Sequence, residues 1–459
     1  MFKKFTNGCV HLVNRWLPDP FIFCIILTVI VFIGAIPATG ALSQPGGIFT
    51  MVEKGWAGSI WSLLAFAMQM ALVLVLGNAM ATAPIVNRII QRIAGIAKSP
   101  AQAVVVVTFV STFACWVNWG FGLVVGAILA KEVARQVKGV DYRLIIAAAY
   151  SGFVVWHAGF SGSIPLTVAA DFKVGTYSHA AIPITQTIFA PWNLIVCAII
   201  LFVLPLILSK VHPAPEDTIT VDPKLLEDKV VVFAKPKTPA EKMEHSMILS
   251  YIIVALGVVG LTLYFIHNGL QIGLNIVNLI FLILGIACHK TPIAYVHAVE
   301  EAAKGAAGII LQFPFYAGIM GLMVFHFTDA DGAALSNSLA GVISHFFVMI
   351  SNRITFPLFT FLAAGIINFF VPSGGGQWAV QGPIMMPAGE TLGVTPDITA
   401  MGIAWGDAWT NMVQPFWALP ALGIAGLSAR DIMGYCIITL LFSGLVVCSG
   451  FVVVGLFFS

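Results

Sequence analysis

The densest run of residues that could bind a charged group is Asn368–Trp378, in which Ser373 precedes three glycines and Gln377. Successive glycines disfavour a continuous helix, each by about 1 kcal/mol relative to alanine, and let backbone N–H groups converge on an anion. A helix beginning near Gln377 would add its positive N-terminal end. We therefore predict an anion-binding turn, although a flexible turn or close helix packing would use the same residues. The candidate binding residues are Asn368, Ser373, Gly374, Gly375, Gly376, Gln377 and Trp378.

A second candidate site centres on Asp407, which lies in a largely apolar stretch. Asp407, Asn411 and Gln414 are spaced at i, i+4 and i+7, which predicts one helical face. An ionisable side chain in apolar surroundings is costly and is by default a functional candidate. It would here bind a coupling sodium ion or take up a proton, with Asn411 also near the solute. A polar stripe that only joins helices is the alternative.

The first half of the chain offers further polar candidates. His157 is a possible proton carrier because histidine exchanges protons near neutral pH, although such a residue is more often a hydrogen-bonded interior side chain. The remaining candidates lie where the chain is interrupted and are predicted to contact the solute: Asn118, Trp119 and Gly120 in one turn, and Ser161 and Ser163 in another.

Composition places these residues in a membrane. Hydrophobic residues make up 59% of 459 positions, charged residues 9%, and the mean hydropathy is +0.97. Soluble domains usually carry about a quarter charged residues. The net charge of +2 is scattered, which argues against a nucleic-acid partner. Seven single cysteines suggest packing residues.

Catalytic equipment is missing from the sequence. There is no Gly-x-Ser-x-Gly elbow, no phosphate-binding loop and no His-Glu-x-x-His motif. We therefore expect neither an enzyme nor an ATP-driven pump, and no cofactor beyond a possible coupling ion.

Apolar runs of about 20 residues are long enough to cross a bilayer. Clear runs lie at 19–41, 60–80, 185–208, 246–267, 270–289, 307–327 and 431–457. The stretch 210–245 is polar and reads as a cytoplasmic linker. Basic residues flank 101–131 on both ends, so this apolar segment should enter and leave on the same side. A re-entrant helical hairpin satisfies that requirement.

The same order of segments recurs about 250 residues later. The half at 1–209 contains the hairpin 101–131 and a broken span at 143–171, while the half at 268–459 contains a hairpin at 355–390 and a broken span at 396–425. The extra helix 246–267 inverts the second half. We predict an all-α polytopic membrane protein with an inverted-topology repeat, about nine transmembrane helices, two re-entrant hairpins, a cytoplasmic N-terminus and a periplasmic C-terminus. Such repeats are typical of secondary transporters with the solute at the repeat interface.

Two stretches also resemble a known family. Asn-Phe-Phe-Val-Pro-Ser-Gly-Gly-Gly-Gln-Trp at 368–378 and Gly-Asp-Ala-Trp-Thr-Asn-Met-Val-Gln-Pro-Phe-Trp at 406–417 are similar to AtoE-type short-chain fatty acid transporters of the ion-transporter superfamily. The resemblance implies a multi-pass protein of the bacterial inner membrane that carries monocarboxylates such as butyrate or acetoacetate. We expect the apolar tail of such a solute to lie beside Phe369, Phe370, Trp378 and Trp409.

Other functions remain open at this point. A dicarboxylate or other organic anion could be the substrate, coupled to sodium or to protons, and a channel is a further alternative. The predicted interior segments contain no lysine or arginine, which suits a single carboxylate better than a multiply charged anion. The amphipathic segments 84–98 and 333–353 could frame a homodimer.

Overall fold

The computed structural model describes residues 2–16, 18–174, 177–221, 236–269, 274–329 and 334–457. These residues are mostly helical, which confirms the predicted all-α polytopic fold, and eight helices are long and apolar enough to cross a membrane. One two-stranded antiparallel sheet, Phe172–Val174 with Tyr177–His179, was not predicted. The count of nine crossings and the inverted orientation stay predictions.

The first half contains helices Phe2–Trp16, Pro20–Thr39, Leu64–Thr82, Pro84–Ala94, Pro100–Val117, Trp119–Gln136, Tyr142–Ser151, Ser163–Thr167 and Pro191–Ser209. Beyond it lie Pro239–Glu244, Met247–Asn268, Leu274–His289, Pro292–Ala303, Ala307–Val324, Leu339–Met349, Phe356–Asn368, Gly374–Thr391, Pro396–Thr410, Leu419–Ala425 and Ala429–Phe457. Proline often occupies the first helical position, where its missing N–H costs nothing.

Several predicted boundaries differ from the observed ones. The span predicted at 60–80 is preceded by a helical stretch from Gly47 that contains a π-helical turn at Met51–Trp56. Glu53 and Lys54 interrupt the apolar pattern there, which explains why hydropathy missed it. The span predicted at 185–208 begins at Pro191, and the one predicted at 307–327 ends at Val324.

Residues 100–136 form a helical hairpin, here called hairpin one. Asn118 leaves helical geometry (φ −153°, ψ 119°), and its side chain accepts a hydrogen bond from the Phe121 N–H. Gly122 lies against the Cys115 backbone and Gly126 against Ser111, so the two helices run antiparallel. The hairpin agrees with the prediction for 101–131, whereas its depth in the bilayer stays a prediction.

Residues 356–391 form hairpin two, in which a turn at 369–370 and an irregular segment at 371–373 connect the two helices. The Ser373 hydroxyl caps the second helix by accepting from the Gly376 N–H at 3.4 Å. Deeper in the hairpin, the Gln377 side chain donates to the Ala364 carbonyl at 2.7 Å. This geometry agrees with the hairpin predicted at 355–390.

Both predicted broken spans are interrupted helices. The first broken span consists of Tyr142–Ser151, a 3₁₀ turn at Gly152–Ala158 and the short helix Ser163–Thr167. The second consists of Pro396–Thr410, a 3₁₀ turn at Pro415–Ala418 and Leu419–Ala425. In the most apolar stretch of Tyr142–Thr167, 94% of residues are buried, against 6% in Met247–Asn268. The first broken span is therefore central, and the extra helix lies at the lipid-facing periphery.

The beginning of the polar linker is anchored to the first broken span. Asp141 is fully buried, and its carboxylate accepts hydrogen bonds from the N–H groups of Leu144 and Ile219, each at 2.9 Å. Arg143 forms an ion pair with it at 2.9 Å. The Ile219 carbonyl in turn accepts from the Tyr142 N–H. Residues 222–235 of the predicted linker lie outside the described part of the chain.

Close packing in hairpin one generates a first prediction. A Cβ added at Gly122 would overlap the backbone of Cys115, with 2.6 Å to its Cα, so Gly122→Ala must push the two helices apart. We expect loss of the monodisperse peak in size-exclusion chromatography of detergent-solubilised protein. The matched control is Gly260→Ala, because nothing lies within 4 Å of a Cβ at that position. Equal behaviour of the two variants would contradict the described packing.

Candidate functional site

Both hairpin tips meet the first broken span at one place. The Trp119 N–H of hairpin one donates to the Ser161 hydroxyl at 2.9 Å. Gly374 of hairpin two lies so close to His157 that a Cβ there would be 2.6 Å from the imidazole Cε1. The second broken span completes the group through Asp407, whose Oδ2 is 2.9 Å from His157 Nδ1. Residues predicted separately are thus brought together around His157.

The tautomer of His157 follows from its hydrogen bonds. Nε2 accepts from the Ile164 N–H at 3.1 Å, so the ring proton of the neutral imidazole is assigned to Nδ1. The Nδ1–H then lies on the side of the Asp407 carboxylate, in a 2.9 Å contact with Oδ2 that does not meet hydrogen-bond geometry. The role of His157 as a proton carrier stays a prediction. Both side chains are fully buried.

The Asp407 carboxylate has little other support. Neither carboxylate oxygen meets hydrogen-bond geometry with a partner among the described residues, and Oδ2 lies 2.9 Å from His157 Nδ1. Among the described residues, no lysine or arginine is buried. An ionised carboxylate in such surroundings is costly unless a cation or a proton accompanies it.

Asn368 joins hairpin two to the second broken span. Its Nδ2 donates to Thr410 Oγ1 and to Asn411 Oδ1, each at 2.9 Å. The Asn411 carbonyl accepts from the Tyr150 hydroxyl at 2.6 Å, which adds the first broken span to the junction. Asn368 Oδ1 and Asn411 Nδ2 are buried without a hydrogen-bond partner in the described structure. These two atoms are available to a polar ligand.

The start of the second helix in hairpin two carries unused backbone donors. The Gly376 N–H is capped by Ser373, whereas those of Gly374 and Gly375 form no hydrogen bond with described residues. Gly375 is exposed, and open space surrounds the position of a Cβ there. The helix Gly374–Thr391 points its N-terminal end at this opening. Free amides and a helix N-terminus together suit an anion.

Hairpin one lacks that opening. Its second helix begins with Trp119, whose N–H is bonded to Ser161, and the Phe121 N–H is bonded to Asn118. Asn118, Trp119 and Gly120 are all buried. The two hairpin tips are therefore unequal, and the anion site is better developed in hairpin two.

Gln377 and Gln414 have positions that the sequence did not indicate. Gln377 is turned into hairpin two, where it also donates to Gln381 Oε1 at 2.9 Å. The prediction of one helical face for Asp407, Asn411 and Gln414 is wrong for Gln414, because the helix ends at Thr410. Gln414 instead caps the next 3₁₀ turn by accepting from the Phe416 N–H at 2.7 Å.

The predicted aromatic flanks of the glycine turn pack elsewhere. Trp378 contacts Phe172 of the small sheet with ring centroids 5.7 Å apart, and Trp409 donates to the Leu440 carbonyl. Phe369 packs on Phe23 at 5.7 Å. The helix geometry after Ser373 and the unpredicted sheet account for this difference.

A different aromatic group borders the site. Trp156 stacks on the His157 ring with centroids 4.0 Å apart and contacts Trp417 at 5.7 Å. Phe153 and Trp119 extend this wall.

Some residues of the site were not predicted from the sequence. The only sequence signal for Trp156 was its position next to His157. Tyr150 and Ile164 gave no local signal, because a hydroxyl in an apolar span and a backbone N–H are recognised only once the fold is known. Ser163 is half-buried at the start of its short helix.

Comparison with known proteins identifies the family of the chain. The family model described as short chain fatty acid transporter matches residues 1–454. A chain of Escherichia coli, provisionally named a short-chain fatty acid transporter, is 46% identical over 97% of this chain and 98% of its own length. A Haemophilus influenzae chain with the same provisional name is 44% identical over 100% of both chains.

Among solved structures, the YdaH transporter of Alcanivorax borkumensis aligns over 95% of this chain and 98% of its own, with 16% identity and a TM-score of 0.44. The assignment does not rest on that weak similarity. Because the family model spans residues 1–454 and two relatives match at 44% and 46% identity along nearly their whole lengths, the chain belongs to the short-chain fatty acid transporter family.

Proposed function

We propose that this transporter carries short monocarboxylates, such as butyrate or acetoacetate, across the bacterial inner membrane by alternating access. The observation that carries the proposal is the pair of unbonded amides at Gly374 and Gly375, which lies beside the buried His157 and Asp407. One end of that site is open at Gly375.

The charge of the site favours a single carboxylate. A helix N-terminus is equivalent to roughly half a positive charge, and the free amides add hydrogen bonds to one anionic group. A second carboxylate would find no buried lysine or arginine in the described residues. An apolar tail could instead lie against Trp156 and its aromatic neighbours.

Asp407 is the proposed site of the coupling cation. His157 contacts one carboxylate oxygen at 2.9 Å, and neither oxygen has a hydrogen-bond partner among the described residues, which leaves the carboxylate for a sodium ion or a proton. Asn411 lies one helical turn further along, and its Nδ2 is free to bind the solute. Coupling at this position would neutralise the carboxylate while the carrier changes its orientation.

Uptake of radiolabelled butyrate into proteoliposomes tests the proposed substrate. We expect saturable uptake, accelerated by unlabelled butyrate inside the vesicles, because a carrier exchanges its solute. Non-saturable flux without such exchange would indicate a channel. Stronger competition by succinate than by butyrate would favour a dicarboxylate carrier, and uptake no faster than into empty vesicles would reject the proposal.

Gly375→Asp places a tethered carboxylate at the proposed anion site. The open space at Gly375 accommodates the side chain, and an acidic residue in the first helical turn stabilises the helix. We expect a KM for butyrate at least tenfold higher, because the new carboxylate competes for the same amides. Gly375→Ala is the control and should change KM by less than about threefold, since it adds no charge. Similar KM values for both variants would place the substrate elsewhere.

Comparison of imposed gradients identifies the coupling ion. We expect either an inward sodium gradient or an inward proton gradient to drive accumulation in the native protein. Asp407→Asn should lose the acceleration of uptake by the ion gradient, because an amide neither takes up a proton at neutral pH nor carries a negative charge. The variant should retain counterflow of butyrate. Preserved acceleration in this variant would exclude Asp407 as the coupling site.

A further inference from the structure

A single asparagine connects the two broken spans behind the site. Asn193 is the third residue of the helix Pro191–Ser209 and is fully buried. Its Nδ2 donates to the Ala158 carbonyl at 3.2 Å and to the Ile188 carbonyl at 2.8 Å. Its Oδ1 accepts from Trp405 Nε1 at 2.9 Å.

The partners of Asn193 flank the two residues of the buried pair. Ala158 follows His157 directly in the first broken span. Trp405 precedes Asp407 by two residues in the second, and residues two apart on a helix point to nearly opposite sides. The indole therefore faces Asn193 while the carboxylate faces His157.

Each polar group of the Asn193 side chain has a hydrogen-bond partner. An amide side chain offers two N–H groups and one carbonyl oxygen, and here all three groups have partners. In an otherwise apolar helix, such a residue fixes the geometry of the groups to which it is bonded. Two of those groups belong to the chain segments that carry His157 and Asp407.

We propose that Asn193 is a positioning residue for the His157–Asp407 pair. This inference rests on the proposed function only in that Asp407 carries the coupling cation. Asn193 holds the Ala158 peptide, and with it the adjacent imidazole, at a fixed distance from the helix that bears Asp407. Without this connection the imidazole is no longer held 2.9 Å from the Asp407 carboxylate, and the carboxylate becomes accessible to other partners.

A different reading is that Asn193 only stabilises helix packing. The chain offers a matched comparison, because Ser151 and Thr439 form another fully buried hydrogen bond at 2.7 Å. That bond also starts from the first broken span, but it leads to the helix Ala429–Phe457 and not to Asp407. Ser151→Ala therefore removes a buried bond of the same kind without affecting the connection between the broken spans.

Labelling of Asp407 by a hydrophobic carbodiimide tests the inference on the purified full-length protein. The reagent reacts with carboxyl groups in apolar surroundings, and mass spectrometry locates the adduct. The variants are Asn193→Leu, which removes the whole connection, and Trp405→Phe, which removes one donor. We expect labelling at neutral pH to be about tenfold faster in the former, because loss of one close contact to a charged group corresponds to roughly that factor. In the latter we expect it to be about threefold faster, because only one of the three hydrogen bonds of Asn193 is lost. The double variant should react no faster than Asn193→Leu.

In Ser151→Ala we expect Asp407 to be labelled within twofold of the native rate. We expect the thermal stability of this variant to fall by about as much as that of Asn193→Leu. Equal acceleration in Ser151→Ala and Asn193→Leu, or native rates in both Asn193→Leu and Trp405→Phe, would overturn the inference. Asp407→Asn verifies that the adduct belongs to Asp407. Because labelling requires no transport, the test stands even if butyrate is not the substrate, and Trp405→Phe decides it if Asn193→Leu does not fold.

Discussion

The close contact between the His157 imidazole and the Asp407 carboxylate is the interaction on which the rest of the site depends. It is one of the few polar contacts available to a carboxylate that the fold has removed from both water and protein cations. Its direction is set by the Ile164 N–H, which occupies the other imidazole nitrogen. A backbone amide therefore determines the electrostatics of the carrier interior. The helix is interrupted at 159–162, and this interruption places the Ile164 amide opposite the imidazole ring.

Glycines make this arrangement sterically possible. Gly152 lies against the backbone of Thr112, and Gly406 against that of Phe361, so each broken span approaches the neighbouring hairpin at backbone distance. In a bilayer, where burial of apolar surface adds little to helix association, such close van der Waals contact supplies much of the attraction. The same closeness brings polar backbone groups within reach of each other. Packing and the construction of the site are thus achieved by the same residues.

The sequence predicted the large features of the fold because each has a local cause. Apolar length predicts a span, Asn118 and the glycines after Ser373 predict interruptions, and an isolated Asp407 predicts function. The sequence did not indicate which side chains meet in the tertiary structure. Nothing local indicates that Trp378 turns outward to a small sheet, or that Gln414 begins a new turn. Helical periodicity was extrapolated through Asn411, although a polar, proline-containing stretch follows it, and this caused the error at Gln414.

The anchorage of Asp141 has a consequence for how the halves of the chain are organised. By holding Ile219, 78 positions away, its carboxylate closes the chain into a ring that contains the first broken span and the helix Pro191–Ser209. Hydrogen bonds between its two ends close the ring, because the Asp141 carboxylate accepts from the Ile219 N–H and the Ile219 carbonyl accepts from the Tyr142 N–H. Residues 141–219 therefore form a closed segment that contains both His157 and Asn193, so the imidazole and the asparagine behind it are held by the same loop of chain.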